Sequence, residues 1–154
     1  MSAEIKEVTA TPTIDTNAYA SADHLGTVMT LTDVVPLSGG SVKLDKIVVV
    51  DKAKQSSALD ILFFNASPTL TSVDNGALDI SDSEMASKFL GSVRLAQAEY
   101  IDLNVNSTIT VRNVELNLRA ANGSTTLYAI LQSRGSPTYG AASDLVVKLS
   151  FESV

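Results

Sequence analysis

The sequence predicts an all-β chain, an antiparallel β-sandwich or jelly roll with one short helix near residues 82–90. Three observations predict it. Short apolar runs recur at close spacing and are separated by Gly, Pro, Asn and Ser, about eight or nine strands in all. Residues 144–152 alternate cleanly, with Leu145, Val147, Leu149 and Phe151 on one face and Val146, Lys148, Ser150 and Glu152 on the other. Residues 44–68 (LDKIVVVDKAKQSSALDILFFNASP) hold two intensely apolar strand candidates around a polar connection.

The elements follow in order. Residues 2–13 alternate weakly and contain Pro12, which suits an N-terminal arm or an edge strand, because proline cannot donate to a central ladder. Residues 15–26 (DTNAYASADHLG) are small and polar, as in a loop. The expected division is an arm and loop over residues 1–25 and a single β-sandwich domain over 26–154. Residues 27–35 form the next strand, with Met29 and Leu31 on one face; Pro36 and Gly39-Gly40 end it.

Residues 42–51 change parity: Val42 and Leu44 share a face, while Ile47 and Val49 fall on the other. Either residues 47–50 are buried on both sides or a bulge near Asp45-Lys46 resets the register. Residues 58–65 are apolar on both faces, which places that strand between two covering layers. Residues 52–57 join the two as a loose hairpin or a crossing connection.

A loop over 65–77 leads to the helix. Ser81 and Glu84 make a capping box, Ile80 and Met85 stand at the staple positions, and Gly91 is the expected stop. Short strands at 92–95 and 100–103 follow. Residues 108–118 change parity once, which a bulge or corner near Arg112-Asn113 explains. Asn122-Gly123 marks a tight turn, and 125–133 is another strand.

Chain length and composition fit one domain with a real core: 154 residues, 45% apolar, only 18% charged. A net charge of -6 with scattered basic residues argues against a nucleic-acid binder and against an anionic membrane surface. Disulfides and thiolate metal sites are excluded, since there is no Cys. The N-terminus lacks the pattern of a signal peptide, and no apolar run approaches the roughly 20 residues of a spanning helix.

Little in the chain points to chemistry, and no catalytic, cofactor-binding or metal-binding residue is assigned. His24 is the only histidine. A Ser-His-Asp triad needs more than that, and no Gly-x-Ser-x-Gly elbow exists, so an exposed loop histidine is the expectation. The acidic run at 74–84 (DNGALDISDSE) invites calcium, but Leu78 and Ile80 sit where ligands are needed. Asp79, Asp82 and Glu84 suit a helix N-terminus better. Asp60, between apolar neighbours, is expected at a wet strand edge or paired with Lys46 or Lys52 across a hairpin, rather than as a catalytic acid. Tyr19, Tyr100 and Tyr139 lie in or beside loops and suit an amphipathic rim or an interface. With no Trp, sugar or base stacking has poor support.

Residues 8–26 (VTATPTIDTNAYASADHLG), 51–68 (DKAKQSSALDILFFNASP) and 126–145 (TLYAILQSRGSPTYGAASDL) resemble small β-rich virion structural proteins of tailed bacteriophages, of the capsid cement or decoration type. The resemblance covers most of the chain; DKAKQSSALDILFFNASP and SRGSPTY are its specific parts, and neither is a catalytic motif. It implies a non-enzymatic particle component without cofactors, made in the host cytoplasm and placed on the capsid surface. Its implied partners are the major capsid protein and further copies of itself, with a trimer favoured. A phage tail, baseplate or fibre-like adaptor and a carbohydrate-binding sandwich are the alternatives.

Overall fold

The computed structural model describes residues 4–154. Among these residues ten strands form, all paired antiparallel, with one α-helix and one 3-10 turn. The strands are β1 (Ile5–Ala10), β2 (His24–Leu31), β3 (Ser41–Asp51), β4 (Leu59–Phe64), β5 (Phe89–Leu95), β6 (Ile101–Asp102), β7 (Ser107–Val111), β8 (Leu116–Arg119), β9 (Leu127–Ser133) and β10 (Leu145–Ser153), with α1 (Asp82–Lys88) between β4 and β5.

The pairing is nested. β1 pairs β10, β2 pairs β9, β3 pairs β7 and β8, and β4 pairs β5. The chain is thus one long antiparallel ribbon whose tip is the segment carrying α1. Ladders β10–β3 and β4–β9 then join neighbouring turns of the ribbon. The result is two sheets: sheet 1, ordered β1-β10-β3-β7-β6 with β8 continuing β7 along β3, and sheet 2, ordered β2-β9-β4-β5. This is the double Greek key of a jelly roll.

The core lies between the sheets. Val42, Leu44, Ile47 and Val49 of β3 and Leu145, Val147, Leu149 and Phe151 of β10 face Leu59, Ile61 and Phe63 of β4 and Leu127, Ala129 and Leu131 of β9. At roughly 25 cal/mol per Å² of apolar surface withdrawn from water, such rows supply the main driving force for folding.

The two expected parity changes are one feature. In the β3–β10 ladder Lys46 pairs Ser150 and Leu44 pairs Phe151, so Asp45 is the extra, bulged residue. On the other side of β3, β7 ends opposite Ile47 and β8 begins opposite Leu44. The intervening residues 112–115 loop out, with Asn113 and Glu115 at positive φ and Val114 N donating to the Asp45 carbonyl at 2.9 Å. A bulge and a corner meet and bend sheet 1 over the core. Two-sided burial of residues 47–50 does not occur: Val48 and Val50 are only half-buried.

Elsewhere the structure chooses between the alternatives the sequence left open, and adjusts the helix boundary. Residues 52–57 cross from sheet 1 to sheet 2 rather than closing a hairpin, so β3 and β4 are not neighbours. Residues 5–10 form an edge strand rather than a free arm, and Ile14, Tyr19 and Leu25 are buried in the common core. Ser81 caps α1 by accepting from Glu84 N at 3.3 Å. The Glu84 carboxylate, however, accepts from Thr69 N and pairs with Lys88. The helix stops at Lys88 because Phe89 turns extended, and Gly91 lies inside β5. The glycine has a packing reason: a Cβ there would stand 3.2 Å from the Leu116 side chain of β8.

Candidate functional site

The chemistry-bearing side chains gather in three places, each closing a loop onto the sandwich. The first is on the outer face of sheet 2. Asp60 of β4 is 6% exposed. Its Oδ1 accepts from Arg94 Nε at 2.9 Å and its Oδ2 from Arg94 Nη2 at 3.2 Å and Arg134 Nε at 2.5 Å. Arg94 faces it directly across the β4–β5 ladder, while Arg134 follows β9. The expected Lys46 or Lys52 partner is absent because β3 and β4 lie in different sheets. Burial pushes the Asp60 carboxyl up, but the two guanidinium groups outweigh it and hold the group below the usual carboxylate range. A carboxylate held ionised by two arginines is a poor proton donor, so the cluster works as a clamp between β4, β5 and the end of β9.

The second place ties the N-terminal segment to the long loop over residues 65–81. Tyr19 Oη donates to Asp74 Oδ1 at 2.7 Å and accepts from Asp15 N at 2.7 Å. Gly26 N reaches the same Asp74 oxygen at 2.8 Å, and Asn75 Nδ2 donates to Asp15 Oδ2 at 3.0 Å. Hydrogen bonds from Asn75 and Asn17 hold the Asp15 carboxyl below its usual range. Asp23 bridges Ala77 and His24 N donates to the Gly76 carbonyl at 3.0 Å. His24 is therefore not an exposed loop residue; it is fully buried at the start of β2 because this loop folds over it. Its Nδ1 donates to the Gly26 carbonyl at 2.7 Å, and Nε2 has no partner among the described residues. With one nitrogen committed to a carbonyl and the other enclosed, it assembles no triad.

Around residues 74–84 the carboxylates are likewise committed locally: Asp74 to Tyr19 and Gly26, Glu84 to Thr69 and Lys88. Among the described residues no group of three or more His, Cys, Asp or Glu is placed to hold a metal ion.

The third place was not foreseen. Asp51 ends β3 fully buried, and its carboxylate accepts from the backbone nitrogens of Ala53, Gln55 and Ser56, each at 2.9 Å. Burial pushes its carboxyl up and the loop N–H groups pull it back, leaving it raised. Lys54 and Ser56 at positive φ make the turn that wraps it. The sequence signal was the Asp followed by a short polar stretch, which is turn chemistry. Tyr19 and Tyr139 are core residues rather than rim residues, meeting edge-to-face at 6.2 Å. Burial pushes the pKa of both phenols up and keeps them protonated.

Three of the exposed large apolar residues lie close together at a sheet edge. Ile101, Leu103 and Val105 are 64%, 50% and 70% exposed. They sit on and after β6, the free edge of sheet 1, where Leu103 N closes the turn onto the Asn106 carbonyl. At the other edge a groove of ≈ 310 Å³ runs between β1 and β2, lined by Thr9, Thr11, Thr13, Thr27, Met29 and Thr30. No helix among the described residues is long and apolar enough to cross a membrane.

No family model matches the sequence, and no curated protein matches it. Among solved structures, the chain is similar to one from tomato aspermy virus, with 11% identity and a TM-score of 0.41 over 97% of this chain and 76% of that chain. It is similar to one from a heated full particle of Israeli acute paralysis virus, with 15% identity and a TM-score of 0.31 over 97% and 68%. A third is from Desmodium yellow mottle tymovirus, with 7% identity and a TM-score of 0.27 over 98% and 82%. At these scores and identities the likeness is loose, and the jelly-roll assignment rests on the strand order of this chain.

Proposed function

We propose that this chain is a virion structural protein: a cement or decoration protein of a tailed bacteriophage that binds the major capsid protein lattice and stabilises it by surface burial, without catalysis. The observation that carries this reading is the division of labour on the surface. The buried charged groups, Asp51 and Asp60, close loops and clamp strands, while three exposed apolar residues, Ile101, Leu103 and Val105, lie close together in sequence at the free β6 edge. Contiguous exposed apolar residues mark contact surfaces, and open sheet edges recruit partners. The resemblance of residues 51–68 and 126–145 to phage virion proteins supports the major capsid protein as the partner.

In this reading the protein is made in the host cytoplasm, assembles as a homotrimer and sits on the capsid surface. Contact from the N-terminal segment runs through the outward face of β1, where Ile5 is 70% exposed. Ser2 lies outside the described residues.

The test is co-sedimentation of the purified protein with bare capsids, read together with gold labelling of particles. Saturable binding and label on heads support the reading. Label on tails transfers the protein to the adaptor class, and absence of binding to either overturns the particle role. Deleting residues 2–13 removes β1 along with any arm, so Ile5→Ser is the cleaner variant for that edge.

A further inference from the structure

We infer that Asn122 is a site of spontaneous covalent modification, a succinimide-forming asparagine that converts to aspartate and isoaspartate in the folded protein, while the chain's other Asn-Gly pair, Asn75-Gly76, is protected by the fold. The reaction needs only water. The backbone nitrogen of Gly123 attacks Cγ of Asn122 and the bond to the carboxamide nitrogen breaks. Ammonia leaves with the amide proton and a five-membered imide closes. Water then opens the ring at either carbonyl, giving aspartate or isoaspartate. The net change is asparagine plus water to aspartate plus ammonia, with no oxidant or reductant.

The two pairs differ in what holds the reacting atoms. Asn122-Gly123 occupies the central positions of the turn between β8 and β9, closed by Ser124 N to the Ala121 carbonyl at 3.0 Å. Both residues are exposed. Gly123 has φ +80°, and a Cβ built on it would meet no atom within 4 Å, so the turn is open beside this residue. Neither the Asn122 carboxamide nor Gly123 N–H has a hydrogen-bond partner among the described residues.

Asn75-Gly76 is the reverse case. Asn75 Nδ2 is held by Asp15 Oδ2 at 3.0 Å, and Gly76 N donates to the Val73 carbonyl at 2.8 Å. Asn75 N also donates to the His24 carbonyl at 3.1 Å, and both residues are half-buried. The leaving group and the nucleophile are each engaged, so reaction there waits on local opening of the loop.

The test is to age the folded protein in mildly alkaline buffer beside the same chain unfolded in urea, then map peptides by mass spectrometry with fragment ions. Trypsin isolates Asn122 in residues 120–134, where it is the only Asn, and places Asn75 in residues 55–88. The expected result is conversion at Asn122 about tenfold or more faster than at Asn75 in the folded protein, with the two rates converging in urea. Asn122→Gln should abolish the modified 120–134 peptide. Equal rates at the two sites in the folded protein, or an Asn122 that stays intact when folded and converts only in urea, would overturn the assignment.

Discussion

The two sheets are built from similar strands but bury them differently. In sheet 1, β3 and β10 bury mostly alternate residues, and the outward Val48, Val50 and Val146 are half-buried at a face that no helix or strand among the described residues covers. In sheet 2, β4 and β9 are buried almost throughout. Phe64 and Ile130 are fully buried yet lie outside the main core cluster, and Phe64 meets Phe89 with ring centroids 5.6 Å apart. His24 and Asp60 are enclosed on the same side. Sheet 2 therefore carries a second, smaller core beneath the ribbon tip, held by links that run from residues 15–26 to residues 65–81 and from there to α1. One sheet is a one-sided wall and the other is the middle layer of a sandwich with a lid. A carboxylate enclosed on that side has to be paired, as Asp60 is by Arg94 and Arg134, and Asp51 at the end of β3 follows the same rule on sheet 1.

The largest effect that separates the sheets comes from truncating equivalent outward positions. Phe64→Ala should cost about 3–5 kcal/mol, because the site is closed and cannot refill. Val48→Ala on sheet 1 should cost about 1 kcal/mol or less, since its outer face is already wet. Urea unfolding of the two variants measures this. Similar losses would mean that sheet 2 has no second core.

Asp60→Asn comes next. Asp60 is held below the ordinary carboxylate range by Arg94 and Arg134, so its contribution is present at neutral pH and is lost as pH falls through its lowered value. The exposed Arg94 fork is partly screened by solvent, which limits the expected loss to about 1–2 kcal/mol at neutral pH. The gap between wild type and variant should close below about pH 4. A gap that widened in acid would reverse the sign and remove the clamp from the explanation.

Legibility followed the same division. One-sided burial writes itself as alternation, so β10, and the bulge and corner of sheet 1 at Asp45-Lys46 and Arg112-Asn113, were visible as period and parity. The two-sided apolarity of residues 58–65 also announced a covered strand. What covers it was not readable, because the lid is a polar loop with no periodicity, tied by backbone contacts between residues far apart in sequence. Asp60 was misassigned for that reason: its partners come from β5 and the end of β9, at sequence separations of 34 and 74. His24 was expected in solvent because burial under Asn75 and Gly76 leaves no local signature. The helix start was legible from Ser81, but its stop was not, since Gly91 is small for the sake of Leu116 rather than for a cap.

The lid itself is tested by Tyr19→Phe. The hydroxyl is shared by Asp74 and the Asp15 backbone nitrogen, so its loss should cost about 1 kcal/mol globally. Amide exchange at residues 74–78 should rise well beyond that of β3, because the lid opens before the sandwich does. Uniform acceleration across both sheets would show that the lid and the main core unfold as one unit.

The smallest effect on stability belongs to the free edge, and there the smallness is the point. Ile101→Ser with Leu103→Ser changes residues that are already at least half in water and lie outside the core cluster. Stability should move by no more than about 0.5 kcal/mol by thermal or urea unfolding. If the edge is a docking surface, the same double change should sharply weaken co-sedimentation with bare capsids, because hydrophobic contacts at the centre of an interface dominate its affinity. The two readouts must diverge for the proposal to stand. Loss of stability comparable to Phe64→Ala would make the row part of a core, and unchanged capsid binding at unchanged stability would leave the exposed apolar edge of sheet 1 without its proposed partner.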